Sequence, residues 1–395
     1  MVASVGSGAA PGCPFSPEKG ESKSAALRQE RLRFEEDAER IGSYERAREI
    51  LLSRELLQGG GGAEKLGPGD LEALTVFYLD GAAHREKRAS IARFFTPKAI
   101  TERYHAIIER ETQRLLAELR REGRIRLDVA SFELTVAVAA NIVGLTKSDI
   151  PKMARRLAII MSAAFVHGHG LFARLTVGLR KSLNIATFYR SDVLPALRAR
   201  RRAPQDDVLS HLLAQKASRR AILMECLTYA AGGMVTTREF IVMAAWHLLE
   251  RPELRRDFLE ADEERQFAIL LEILRLEPIV SMLVRRTDPA PGGRSVHFAV
   301  DLRAVHADEA AVGACPHLLD PDRAKRMKTS GAFLSFGAGA HHCPGRQVAL
   351  HEARIFLDAL LRIPGIRLER APEIGWSEML MSYELRDAVV ACDPA

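Results

Sequence analysis

No stretch of this chain approaches the ~20 consecutive apolar residues that a bilayer-spanning helix requires, so the sequence predicts no membrane span. Cysteine is scarce. Cys13, Cys226, Cys315, Cys343 and Cys392 are scattered, odd in number and free of any Cys-x-x-Cys pair, which argues against a disulfide framework and suits a reducing cytoplasm. Charge of one sign is also in short supply. The 57 basic and 51 acidic residues leave +6, too small and dispersed an excess for a nucleic-acid-binding surface. The densest basic run, Arg198-Ala199-Arg200-Arg201-Arg202, precedes Pro204-Gln205-Asp206-Asp207 and reads as a helix end, a turn and an acidic helix start. Residues Met1 to Gly8 carry neither a basic start nor an apolar core, so no secretion signal is expected there.

The chain does have the material for a large core. Among 395 residues, 47% are hydrophobic and 27% charged, which excludes disorder of the body. The length exceeds the roughly 250–300 residues of a usual single core, a bound that a continuous fold around a cofactor escapes. Residues 1–25, rich in Gly, Pro and Ser, are expected to form a flexible arm. Apolar residues then recur at three- and four-residue spacing over 43–57, 97–121, 127–142, 148–165, 184–202, 205–215, 218–250, 264–277 and 344–362, which predicts helices. Strand character is confined to short pieces near 295–301 and 387–392, and 302–340 has little periodicity. The fold class read from this pattern is mainly α with a minor β region.

The most informative segment is Phe336-Gly337-Ala338-Gly339-Ala340-His341-His342-Cys343-Pro344-Gly345-Arg346. Glycines before and after the cysteine allow a tight turn and a close backbone approach. Cys343 stands where a helix begins, and free N–H groups at a helix start favour a thiolate. Three readings follow from the residues alone. Cys343 is a small buried hydrophobe in a turn, a zinc ligand together with His341, His342, Cys315 and His317, or a thiolate ligand to haem iron. Zinc fits poorly, because adjacent residues rarely point at one tetrahedral ion.

This segment resembles the haem-binding loop of the cytochrome P450 family, Phe-Gly-x-Gly-x-His-x-Cys-x-Gly, at every fixed position. Other segments resemble the family in the same order along the chain. Glu272-Ile273-Leu274-Arg275 resembles its Glu-x-x-Arg helix, and Leu319-Asp320-Pro321-Asp322-Arg323 its meander. His84-Arg85-Glu86-Lys87-Arg88, with Phe95-Thr96-Pro97 beyond, resembles its propionate-binding helix. Ala231-Gly232-Gly233-Met234-Val235-Thr236-Thr237 resembles its distal oxygen-handling helix.

The resemblance implies the triangular-prism fold, with 26–395 as a single haem-thiolate catalytic domain. It implies haem b as cofactor, with Cys343 the axial ligand to the iron. Phe336 and Gly337 would shape the loop, and His84, Arg88, Arg285 and His341 would meet the haem propionates, although Arg286 would serve by a shift of one residue. Thr236, Gly233 and Thr237 take the catalytic positions, and Glu272, Arg275 and Arg323 a structural network behind the loop. The implied activity is that of a cytoplasmic monooxygenase of secondary metabolism, which activates O₂ and oxidises a mainly apolar small molecule. Its electrons would come from a ferredoxin and a ferredoxin reductase, with exposed Arg93 and Arg346 attracting an acidic partner.

One residue departs from the family pattern. Val235 stands where the family usually has Asp or Glu to relay protons, and a valine carries none. Either water and Thr236 suffice, or Glu239 or the substrate's own polar groups assist, or Val235 is simply a tolerated variant, or the chemistry differs, as in a peroxygenase, a coupling, desaturation or nitration enzyme, or a haem-based ligand sensor that never turns over. Family position puts the substrate lining in Leu66–Tyr78, Ala163–Phe172, Leu227–Thr236, Ile279–Val284 and Met379–Met381. His167, His169 and Ser281 are the polar handles there.

Overall fold

In the computed structural model, residues 20–27, 38–60, 75–161, 171–288, 294–377 and 379–393 are described. Short strands and long helices alternate through the first part. Strand β1 (Ala38–Ile41) is followed by α1 (Tyr44–Leu52), β2 (Leu57–Gly59), α2 (Gly81–Ala92) and α3 (His105–Glu122). Then come β3 (Arg124–Arg126), α4 (Leu127–Val143), α5 (Ile150–Met161), α6 (Leu171–Phe188), α7 (Leu194–Arg202) and α8 (Val208–Ala214). The centre is formed by α9 (Arg219–Tyr229), α10 (Thr236–Glu250), α11 (Pro252–Glu260) and α12 (Glu263–Leu276). Strands β4 (Met282–Arg286) and β5 (His297–Asp301) lead to α13 (Arg346–Leu361), and β6 (Arg367–Arg370), β7 (Glu373–Ser377), β8 (Ser382–Arg386) and β9 (Val389–Ala391) close the chain.

Local chemistry accounts for many of these boundaries. Ser43, Asp207, Ser218 and Asp262 each accept a backbone N–H in the first turn of α1, α8, α9 and α12, the groups a helix start leaves unpaired. The expected single helix over 218–250 is interrupted by a π-turn at Ala230–Val235, where Gly232 and Gly233, poor helix formers because of their backbone freedom, weaken the regular backbone ladder. The helix expected from 184 begins at Leu171, because Leu179 and Leu183 face solvent and blur the apolar period.

A four-stranded sheet runs β1-β5-β4-β2, with β1 and β5 parallel and the other pairs antiparallel. A three-stranded sheet runs β3-β9-β6, and β7 pairs with β8 as a hairpin. Most of the apolar core lies among α3, α4, α10, α12 and α13, and a smaller cluster of Ile41, Ile50, Val300, Leu302 and Leu334 lies between α1 and the larger sheet. Because α10 packs on both α4 and α13, the π-turn and the loop before α13 are held by one core. No described helix is long and apolar enough to cross a membrane.

Two expectations change. Cys315 is disulfide-bonded, although the scattered cysteines suggest no framework; Cys226, Cys343 and Cys392 are free among the described residues. Within the expected arm, Glu21 to Ser24 are bonded to the core. Ser22 Oγ donates to Glu277 Oε2 at 3.0 Å, and the Leu319 N–H donates to the Glu21 carboxylate at 2.5 Å.

Candidate cofactor and active site

The loop before α13 is folded by its glycines. The Cys343 N–H donates to the Phe336 carbonyl at 2.9 Å, and Gly337 and Gly339 both take φ of 69°. At Gly339 a Cβ would lie 2.3 Å from the Leu51 carbonyl oxygen, so the loop lies directly on the end of α1. Gly339→Ala is therefore expected to lower stability by about 1–3 kcal/mol for the backbone strain alone, and more for the clash. Thermal unfolding of the variant checks it.

Cys343 comes to rest at the start of α13, where the backbone N–H groups of Gly345 and Arg346 and the charges of Arg88 and Arg346 favour its thiolate. Burial opposes them and wins, so the thiol is held above its usual range. A thiolate at this position therefore needs a cation in contact with the sulfur. Arg346 lies over the Phe336 ring at 5.7 Å.

The predicted cation set converges beside this loop. The His84 and His341 rings are 4.2 Å apart, and Arg88 Nη2 donates to the His342 carbonyl at 2.5 Å. Arg285 is buried and donates to Gln58 Oε1 at 2.7 Å; it is the arginine of its pair that enters this cluster. Two members were not foreseen. Gln58 links Arg285 to the loop, and Asp80 accepts the Gln58 N–H at 3.1 Å and faces His341 Nε2 at 3.2 Å. Asp80 is the acid of the group, against His84, Arg88, Arg285 and His341. Burial and the neighbouring cations push His84 down to about 4, and burial pushes Arg285 down to about 10. A desolvated donor set this rich in cations is suited to a guest bearing carboxylates.

Opposite lies the π-turn. A Cβ at Gly232 or Gly233 would meet nothing within 4 Å, so open space borders the helix there. Thr236 Oγ1 donates to the Gly232 carbonyl at 2.8 Å, and Thr135 of α4 donates to the Met234 carbonyl at 3.1 Å, which satisfies a group the bulge frees. Thr237 and Val235 are buried. Ser281 does not serve as a polar handle, since its hydroxyl donates to the Met381 carbonyl. His167 and His169 lie outside the described residues.

Behind the loop, Glu272 takes both Arg275 (2.8 Å) and Arg323 (3.0 Å), all three buried. Arg323 also donates to the carbonyls of Val312, Ala314, Cys315 and Leu318. His306 was missed in the sequence, where it is a lone histidine in an aperiodic stretch. Its Nδ1–H donates to the Arg275 carbonyl at 3.0 Å and its Nε2 accepts the Leu334 N–H at 3.3 Å, so it ties this network to the cysteine loop. Burial pushes it down to about 3. Between pH ~6.5, its unfolded value, and ~3 the unfolded chain binds a proton that the folded one refuses. Its contribution to stability is present above pH ~6.5 and is lost as pH falls toward ~3. His306→Gln is expected to flatten this part of the stability-against-pH curve, measured by denaturant unfolding at each pH.

A groove of about 320 Å³ beside Leu115, Arg124 and Val129 contains none of these residues.

The family model described as Cytochrome P450 matches residues 267–363. Nocardicin C N-oxygenase of Nocardia uniformis subsp. tsuyamanensis is 26% identical over 92% of this chain and 91% of its own. Mycinamicin IV hydroxylase/epoxidase of Micromonospora griseorubida is 28% identical over 79% of this chain and 78% of its own. Among solved structures, substrate-free CYP109E1 from Bacillus megaterium aligns with a TM-score of 0.74 at 21% identity, covering 92% of this chain and 94% of that one. P450BioI, in complex with acyl carrier protein ligated to hexadec-9Z-enoic acid, aligns at 0.71 and 22% identity, covering 90% and 91%.

Proposed function

Because this chain belongs to the cytochrome P450 superfamily and is a haem monooxygenase of bacterial type, we propose that Cys343 is the axial thiolate ligand of its haem. The observation that carries this is the pairing of a sulfur flanked by N–H donors with an adjacent, carboxylate-poor cluster of His84, Arg88, Arg285 and His341. That cluster suits two propionates. When bound, the haem supplies reductive activation of O₂ and transfer of one oxygen atom to substrate.

The chain's own residues take the remaining roles. Phe336 and Gly337 set the loop, and N–H groups moderate the charge on sulfur. Gly232 and Gly233 leave room beside the π-turn, and Thr236 holds a hydroxyl there while Thr237 supports the turn from the core side. Residues 26–395 act as one catalytic domain, with Glu21 to Ser24 fastened to it.

The substrate is a mainly apolar small molecule of secondary metabolism. The relatives named Nocardicin C N-oxygenase and Mycinamicin IV hydroxylase/epoxidase support that class, and the apolar Leu227, Ile279, Leu283 and Met379 fall in the segments assigned to its lining. A ferredoxin and its reductase supply the electrons. Arg93 is exposed, pairs with Asp206 at 3.6 Å and offers an acidic partner positive charge, whereas Arg346, expected to be exposed, is half-buried over the Phe336 ring. Val235, buried and apolar, favours a second reading in which hydrogen peroxide replaces O₂ and reductant.

Purified holoprotein decides. A thiolate-type Soret band in the reduced carbonyl complex, with turnover that requires ferredoxin and reductase, supports the proposal. Turnover with peroxide alone moves it to a peroxygenase. A histidine-type carbonyl spectrum, or ligand binding without any turnover, removes it.

A further inference from the structure

The two most exposed large apolar side chains among the described residues stand on one helix. Leu179 is 63% and Leu183 59% exposed, four residues apart on α6, and exposed Ala186 continues the same face. A lone exposed leucine is ordinary, whereas a stripe of them marks a contact surface. The charge around the stripe is one-sided. Between Asp149 and Asp192 the chain has no Asp or Glu, in a protein with 51 of them, yet it has seven Lys or Arg. The two bounding acids are already taken, Asp149 by Lys152 at 3.0 Å and the buried Asp192 by Arg156 at 2.8 Å. Arg180 beside the stripe and Arg190 at its end are exposed and enter no ion pair among the described residues. Asn184 and Thr187 turn their polar groups back onto the helix, donating to the Arg180 and Leu183 carbonyls at 2.8 Å.

The place of this helix decides what a partner there would do. Helix α5 packs on the π-turn at Ala230–Val235 and α6 packs on α5, so α6 is an outer layer on the π-turn side, opposite the Cys343 loop. The segment Ala163–Phe172, assigned to the substrate lining, leads from α5 into α6. We propose that the exposed face of α6 docks an acidic carrier protein that presents the substrate on a covalent tether. This rests on the monooxygenase reading and names the form in which its substrate arrives.

Leucines flanked by unpaired arginines match a helix that carries carboxylates around a small apolar spot. An electron donor works from the thiolate side, so an acidic protein held on the π-turn side has the substrate to deliver. The stripe from Leu179 to Ala186 is only about 10 Å long, too small for a permanent interface and suited to a carrier that must leave after each turnover. Its tether supplies the substrate at high local concentration while it is docked. Two other occupants fit worse. A second copy paired through the same face would set Arg180 and Arg190 against their own like charges. A lipid surface favours aromatic anchors, and α6 exposes no Trp, Tyr or Phe among its described side chains.

The test uses the holoenzyme and, as probe, a fluorescently labelled bacterial acyl carrier protein loaded at its phosphopantetheine thiol with a tetradecanoyl thioester. Binding followed by anisotropy is expected to weaken with added salt. The loaded carrier is expected to shift the Soret band, and the unloaded one to leave it unmoved. Arg180→Glu with Arg190→Glu is expected to weaken binding and shift together, roughly 10- to 100-fold, and Leu179→Ser with Leu183→Ser to weaken both as well. All four side chains lie at the surface, so the reduced carbonyl spectrum and the binding of imidazole should stay the same in either variant. A carrier that does not bind, binding that survives both variants, or a Soret band unmoved by the loaded carrier overturns the proposal. So does a preference for phosphatidylglycerol vesicles over the carrier, or self-association that the same variants abolish. A wild type without the thiolate spectrum sinks the monooxygenase reading instead, while anisotropy still decides whether α6 docks the carrier.

Discussion

Replacing Cys343 with serine is expected to lower turnover at least on the order of 10³-fold, which corresponds to ~4 kcal/mol or more of barrier, while the chain still folds. The half-buried sulfur is a small part of its surroundings, and serine is nearly isosteric, so the loop's Cys343 N–H to Phe336 carbonyl bond survives. What disappears is the soft, negatively charged donor. Burial already holds the Cys343 thiol above its usual range, so metal binding must expel the proton. A serine hydroxyl is far harder to deprotonate. The reduced carbonyl spectrum and the circular dichroism of the variant separate the two effects: the thiolate Soret signature is lost and the helical signal retained. A variant that kept both signature and turnover would remove Cys343 from the site.

Arg323→Leu is expected to cost about 3–5 kcal/mol, the range for breaking a buried ion pair, out of roughly 5–15 kcal/mol for a typical domain. Arg323 is 1% exposed and joins Glu272 to four backbone carbonyls in the aperiodic stretch. Leucine leaves those carbonyls without their donor. Lysine is not expected to rescue the protein, since three donors on a point charge do not reproduce a planar fork of five. Denaturant midpoints measure the loss. A change below about 1 kcal/mol, the scale of an exposed pair, would show that the network does not hold the loop.

Legibility in the sequence followed contiguity. The Phe336 to Arg346 loop could be read because its glycines, cysteine and helix start are neighbours in the chain. The fold class was also readable, since helical periodicity is local. The strands were mostly not, because β1 is four residues long and finds its partner in β5, where Ala38 pairs with the distant His297. Arg285 could not be told from Arg286 by pattern. Alternation along β4 decides it, turning Arg285 into the cluster. Gln58, Asp80 and His306 carried no signal, for each acquires its role from residues distant in sequence. Ser281 misled for the opposite reason. A serine in an apolar run invites a substrate role, and only tertiary structure supplied the Met381 carbonyl that occupies it.

The attachment of Glu21 to Ser24 has a consequence for synthesis. Glu277 and Leu319, which bind this segment, lie 255 and 298 residues beyond Ser22 and Glu21. A ribosome adding about 5–20 residues per second leaves the segment without its partners for many seconds after it emerges. Contacts of such long range form late, because the loop must close before they can contribute. The clasp therefore shuts only when the later half of the protein exists. Nascent chains halted before residue 277 should leave Glu21 to Ser24 open to protease, and finished chains should shield it.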